Sequence, residues 1–255
     1  MKLVTLNTWG GKIREPLLDF LRTHKDEVDI FCFQEVLNCE SSEKFEKEVA
    51  HTEHKADRAT FYDLYSVLAE VLETHQGYFR PHFKEWYGLA IFVRKGIKVL
   101  EEGEHFVFKE KGHIPEGDVG FHARNIQYVA VETPAGLRTV VNFHGLWNGN
   151  GKTDTDDRLA QSTKIVEFMK DIETPIILCG DFNLLPDTKS IEVIENTGLR
   201  NLVKEHNVTS TRTSFYTKQD KYADYIFTSP QITVKNFSVL PHEVSDHAAL
   251  LVEFE

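Results

Sequence analysis

Apolar and polar positions along this chain fall into short blocks whose period separates strands from helices. Residues 2–7 read as a strand that ends on the polar Asn7. A helix follows over Glu15–Lys25, with Pro16 suited to its first turn and Leu17, Leu18 and Leu21 facing inward. Asp29–Phe33 reads as a short buried strand stopping at Gln34-Glu35. Residues 40–58 are highly charged and carry no clean period, so they read as a solvated face or an insertion, His51 and His54 included. Beyond them Phe61, Leu64, Tyr65, Leu68, Val71 and Leu72 recur at helical spacing, and the helix closes near Gly77.

The remainder is rich in strands. Tyr78–Phe83, Leu89–Val93, Ile97–Leu100 and His105–Phe108 are short β candidates. Ile126–Thr133 and Leu137–Phe143 flank Pro134-Ala135-Gly136 and predict a hairpin. Asp156–Lys170 reads as a helix, then Pro175–Cys179 as a buried strand and 189–196 as a helix. Tyr225–Thr228, Ile232–Leu240 and Ala248–Phe254 supply the last strands. Strands and helices interleave throughout, with no Pro/Ser-rich linker and no internal repeat. The expected architecture is α/β, two packed sheets with helices outside, as one domain over residues 1–255. With 41% hydrophobic residues, eighteen Phe among them, a core of that size needs no staple.

Charge and cysteines narrow the class. The formal net charge is −11, from 29 basic and 40 acidic residues, with no dense basic tract. That balance argues against tight, sequence-independent coating of duplex nucleic acid, which draws its affinity from Lys and Arg replacing counterions. Cys32 and Cys179 lie in apolar runs, and the three cysteines show no metal-type pairing, so a reduced, cytoplasmic protein is expected. No run of eighteen apolar residues predicts a membrane span, and the first residues turn polar too soon for a signal peptide.

The chemistry sits where strands stop. Five apolar strands end in residues that bind a metal or a phosphate: Asn7-Thr8-Trp9, Gln34-Glu35, Asn142-Phe143-His144-Gly145, Gly180-Asp181-Phe182-Asn183 and Ser245-Asp246-His247. Each alone is as readily a turn, a cap or a solvated strand end. Together, with their strands side by side, they converge on one rim. Oxygen donors suit a hard cation such as Mg²⁺ better than zinc. The neutral donors His144, Asn183 and His247 suit a phosphate whose charge grows in the transition state. No Ser or Cys stands in a nucleophile context, which leaves water as the attacking group.

This set, running from Leu3 to the last strand, resembles the endonuclease/exonuclease/phosphatase superfamily. The resemblance implies a four-layer α/β sandwich and hydrolysis of a phosphate ester with Mg²⁺, or Mn²⁺ in its place. It implies Glu35 as the principal metal ligand, with Asn7 and Asp246 beside it, and leaves one ion or two open. Asp181 would position or deprotonate the attacking water, and Asn183 would hold the phosphate. His247 would face the phosphate with Asp224 as its carboxylate partner, and His144 would be the second such histidine. The base is either Asp181 or His247. Arg124 matches a phosphate-contacting arginine of several relatives. Trp147, in the Gly/Asn-rich loop after His144, is a candidate for stacking on a base or sugar, and Tyr87 is an active-site tyrosine candidate by position alone. Arg158 and Gln161 read as structural, and Asp154, Asp156 and Asp157 as caps for the next helix. The substrate is a nuclease-type phosphodiester, nucleic acid included, or a small-molecule or lipid-headgroup ester. A binding module that kept the fold without the reaction is the rival of a different class.

Overall fold

The computed structural model describes residues 1–49, 61–116, 119–149 and 151–255. In chain order the first half comprises β1 (Lys2–Asn7), α1 (Arg14–His24), β2 (Ile30–Leu37), α2 (Ser42–Val49), α3 (Leu64–Val71), β3 (His75–Phe83), β4 (Tyr87–Arg94) and β5 (Val99–Phe108). The second comprises β6 (Arg124–Thr133), β7 (Gly136–His144), α4 (Asp156–Lys170), β8 (Ile176–Asp181), α5 (Lys189–Glu195), β9 (Arg200–Asn201), α6 (Leu202–Glu205), β10 (Asp224–Thr228), β11 (Val234–Val239) and β12 (Leu250–Phe254). They form two six-stranded mixed sheets, ordered β11-β12-β1-β2-β4-β3 and β5-β6-β7-β8-β10-β9.

Alternation along each strand decides which residues meet. Leu3, Ile30, Cys32, Ile91 and Val93 of the first sheet share a buried cluster with Val129, Val140, Ile177 and Cys179 of the second. The alternate residues Val4, Leu6, Phe31, Phe33, Ala90 and Phe92 pack instead on Leu17, Phe20 and Leu21 of α1 and Leu64 and Leu68 of α3. On the second sheet, Ile165 and Met169 of α4 and Ile191 and Ile194 of α5 join the core. The result is the expected α/β sandwich, helices outside and two sheets within.

The same parity carries polar residues into the space between the sheets. Asn7 follows Leu3 and Thr5, Gln34 follows Ile30 and Cys32, Asn142 follows Val140, and Asp181 follows Ile177 and Cys179. Gln34 Nε2 donates to Asn142 Oδ1 (2.6 Å), and Asn142 Nδ2 donates to the carbonyls of Phe33 (3.0 Å) and Ala90 (3.3 Å). This bridge satisfies Gln34 Nε2 and both ends of the Asn142 amide, groups that would otherwise cost about 1–3 kcal/mol each. It forms a floor under the strand ends.

Several elements depart from the sequence pattern. β2 continues past Glu35 to Leu37, and β5 is one strand where two were expected, interrupted by bulges near Val99–Glu101 and Phe106–Phe108. Gly77 lies inside β3, and α3 ends at the cap residue Leu72. Part of the charged stretch is helical: α2 buries Phe45 against Trp86, ring centroids 5.3 Å apart. His51 and His54 lie outside the described residues. The two-residue β9 and short α6 gave no periodic signal.

Gly180 is required by close approach. Its φ is +134°, and a Cβ there would sit 2.0 Å from the Phe143 carbonyl oxygen on the neighbouring strand. Gly180→Ala is expected to destabilise the fold by about 3 kcal/mol or more. A urea titration showing less than about 1 kcal/mol of loss would contradict this.

Candidate active site

Register alone places the key side chains next to one another. In the second sheet His144 of β7 lies opposite Asp181 of β8, and Asp181 lies opposite Asp224 of β10. In the first, Asn7 of β1 pairs with Gln34 of β2. Glu35 would by alternation face α1 and α3. Instead its φ is +55°, and the β2–β4 register breaks between Phe33 and Val36, which turns its carboxylate back toward the other strand ends. Thr8 Oγ1 holds this bend by donating to the carbonyls of Gln34 (2.9 Å) and Glu35 (3.1 Å).

Asn7 stitches the two sheets at the centre. Its Nδ2 donates to Glu35 Oε1 (3.0 Å) and to Asp181 Oδ2 (2.9 Å). Around Asp181 Oδ2 stand His247 Nε2 at 3.6 Å and His144 Nε2 at 3.8 Å. Asp181 Oδ1 is occupied separately, accepting from the backbone N–H of Asn183 (2.8 Å). Asn183 has φ +53°, a left-handed conformation that Asn tolerates, and its Nδ2 donates weakly to the Gly145 carbonyl (3.3 Å).

The two histidines are oriented differently. Arg124 Nη1 donates to His144 Nδ1 at 3.1 Å, so a neutral His144 carries its hydrogen on Nε2, toward the centre. Burial and the neighbouring Arg124 hold that imidazole well below its usual pKa. His247 Nδ1 lies 2.9 Å from both oxygens of Asp224, which also accepts from Thr211 Oγ1 (3.0 Å). Burial pushes Asp224 up to about 7 and, with Arg212 nearby, His247 down to about 3. The pair therefore holds a proton on Nε2 of His247 below about pH 7, as a neutral unit, and bares that nitrogen above it.

A divalent ion fits the acidic side of this ring. Asp246 Oδ1 is buried and has no hydrogen-bond partner among the described residues, while its Oδ2 accepts from Arg212 Nη1 (2.9 Å). Asp246 and Asp181 both repel the Glu35 carboxylate, and together the three offer an oxygen donor set suited to a hard cation. His144 lies within ligating range of Glu35 and Asp181, but its Nε2–H leaves no lone pair for a metal. Burial first, then Asp246 and Asp181, raises Glu35 to about 7 against the opposing Asn7 hydrogen bond. Its side chain as a whole remains 26% exposed, within reach of an ion from solvent. An ion must displace that proton. Its affinity is expected to rise about tenfold per pH unit below 7 and to level above it. Calorimetric titration at pH 6 and pH 8 checks this; equal affinity at both would contradict it.

The structure also shows what the sequence reading missed. Arg212, on a polar loop without periodicity, pairs with Asp246, and a single backbone bridge links it to His247. Lys152 is buried at 1% exposure and donates to the Tyr222 carbonyl (2.7 Å). Arg124 is buried and reaches His144 and the Gly120 carbonyl. Tyr87 lies 6.5 Å ring to ring from His144, and Trp147 is half-buried on the loop after it. Arg158 binds the carbonyls of Leu146, Thr153 and Gly151, and Gln161 accepts from Leu146 N, so both brace that loop. Asp154 caps α5 through Lys189 and Ser190, while Thr155 caps α4. The sequence had assigned Asp154 to the nearer helix, and the loop geometry sends it to the farther one.

The model of the endonuclease/exonuclease/phosphatase family matches residues 4–247. The chain belongs to that family. Its members hydrolyse phosphate esters and are generally dependent on a divalent metal. Among solved structures, a mannosyl-6-phosphatase of Bacteroides thetaiotaomicron superimposes with TM-score 0.72 and 18% identity, covering 100% of this chain and 99% of its own. An endonuclease/exonuclease/phosphatase family protein of Leptotrichia buccalis gives 0.73 and 20%, covering 100% and 99%. The human Nocturnin catalytic domain with bound sulfate gives 0.65 and 17%, covering 100% and 93%. At these identities the likeness concerns the fold. No curated protein sequence matches the chain.

Proposed function

We propose that this protein is a Mg²⁺-dependent phosphoester hydrolase, with Mn²⁺ as a substitute ion, that uses water as the nucleophile. The observation that carries the reading is Asp246 Oδ1, buried without a hydrogen bond among the described residues and 3.8 Å from His247 Nε2, beside Glu35, Asp181 and the two inward-facing histidines. Glu35 and Asp246 hold the ion, with Asn7 fixing Glu35 from the side. When bound, the ion supplies Lewis-acid polarisation of the phosphate and charge stabilisation at the leaving oxygen.

The chain's own groups do the rest. Asp181 Oδ2 accepts the proton of the attacking water, since its other oxygen is committed to Asn183 N. His144 Nε2–H and His247 Nε2–H donate to the non-bridging oxygens, where charge grows in the transition state. Arg124 fixes the first ring and Asp224 the second. Asn183, held in its left-handed turn, presents its amide to the phosphate. Residues 1–255 act as one unit in this reading, supported by the core shared between the sheets. Three buried free cysteines suit a reducing compartment such as the cytoplasm.

Both a nuclease-type diester and a small-molecule ester enter such a site. The net charge of −11 favours the small molecule, and the mannosyl-6-phosphatase shows that one protein of this fold takes such a substrate. The test is hydrolysis of a panel with Mg²⁺, Mn²⁺ or EDTA: plasmid DNA, abasic-site duplex, bis-p-nitrophenyl phosphate, p-nitrophenyl phosphate and an inositol phosphate. Metal-dependent cleavage of at least one member is expected. No cleavage together with no metal binding would favour the non-catalytic binding module.

A further inference from the structure

The centre of the site is acidic, yet the flank beside His247 is cationic. The Arg212 guanidinium lies 4.2 Å from the ring centroid of Tyr216, and Lys152 Nζ and Lys221 Nζ lie 4.9 Å and 5.7 Å from the same ring. Lys218 Nζ stands 5.4 Å from the Trp147 ring. Two loops, one after His144 and one before Asp224, thus bring four cations and two aromatic rings together in a chain of net charge −11. Asp246 takes one Arg212 nitrogen, and Lys152 faces Asp181 and Asp224 of the catalytic ring as well as Asp220.

One cation–π contact suffices to staple two loops, so four cations exceed that need. A second observation points outward to a ligand. Arg212 Nε is buried, its side chain is 4% exposed, and among the described residues no group satisfies that N–H. A guanidinium with a free donor, held beside a tyrosine ring, is pre-organised for an oxyanion. Arg212 and the buried Lys152 set the local field, and the exposed Lys218 and Lys221 provide contacts at the mouth. The bridge from Arg212 to His247 places Arg212, and the Tyr216 ring beside it, next to the phosphate-facing histidine.

We propose that this flank is a second subsite. It binds a phosphate of the substrate other than the one cleaved, and Trp147 stacks on a planar ring of the same molecule. The substrate class that fits is a small nucleoside-like bisphosphate. The inference rests on the phosphoesterase reading and names its substrate. A polynucleotide fits less well, because four cations on an acidic protein neutralise one or two phosphates and offer no track for a longer backbone.

The test uses the full chain with Mg²⁺ and four probes: adenosine 3′,5′-bisphosphate, adenosine 5′-monophosphate, glucose 1,6-bisphosphate and a single-stranded oligonucleotide. The expected kcat/KM for the adenosine bisphosphate exceeds that for the monophosphate by about tenfold or more. The double variant Lys218→Ala/Lys221→Ala removes that preference. Trp147→Ala removes the preference for the adenosine over the glucose bisphosphate, roughly tenfold or more. Preferences that neither variant moves, or an oligonucleotide cleaved best, would overturn the proposal. If no probe is cleaved, the reaction assignment fails, and calorimetric titration with adenosine 3′,5′-bisphosphate still reads the subsite. Binding weakened at least about tenfold in the double variant sustains it; no binding, or equal binding in both, overturns it.

Discussion

Asp181→Asn is expected to lower kcat by about three orders of magnitude, on any substrate the wild type cleaves, with KM changed far less. Asp181 Oδ1 accepts from Asn183 N, and Oδ2 accepts from Asn7 Nδ2 while facing both histidines. An asparagine keeps the first bond through its carbonyl. Its amide then points a donor at the donor of Asn7 and has no capacity to take a proton from water. The loss belongs to the transition state, because the side chain's size and the Asn183 turn persist. Circular dichroism and thermal melting should match the wild type. A kcat within tenfold of wild type would remove Asp181 from the role of base.

Asp224→Asn should cost about two to three orders of magnitude by a different route. The carboxylate sits 2.9 Å from His247 Nδ1 and allows the imidazole to hold a second proton on Nε2 without leaving a net buried charge. An amide offers no compensating charge, so His247 stays neutral and donates more weakly to the phosphate. The wild-type activity should therefore show a limb set by the Asp224–His247 unit, which loses its proton near pH 7 before ion and substrate charge act on it. In Asp224→Asn that limb should vanish. A variant that is slow yet keeps the wild-type pH profile would mean that Asp224 acts through packing alone.

The sequence carried much of this arrangement because the site is written where buried strands stop. Asn7, His144 and Asp181 each end a run whose alternation is legible, and the sheet register then sets them side by side. Glu35 was visible by type but not by direction, since its inward turn depends on a positive φ and a broken register with β4. Arg212 and Lys152 were not visible at all. They lie on polar loops, where no periodicity marks which cation is buried, and only the fold brings them onto Tyr216. The resemblance marked Arg124 as a phosphate contact. Its partner is a ring nitrogen of His144, twenty positions away along a hairpin. The helix in the charged stretch escaped because, among its described side chains, Phe45 alone is buried against the rest of the protein.

In the proposed function, the carboxylates around Asn7 bind a divalent ion that the reaction requires. The most direct measurement is hydrolysis of bis-p-nitrophenyl phosphate and p-nitrophenyl phosphate with Mg²⁺ and with EDTA, for the wild type and for Glu35→Gln, beside calorimetric titration of each with Mg²⁺. Glu35→Gln keeps an acceptor for Asn7 Nδ2 while removing the charge. The expected result is metal-dependent turnover in the wild type, lowered by about 10²–10³ in the variant, with weakened ion binding. Turnover that survives EDTA, or a variant that binds Mg²⁺ and turns over like the wild type, would contradict the account.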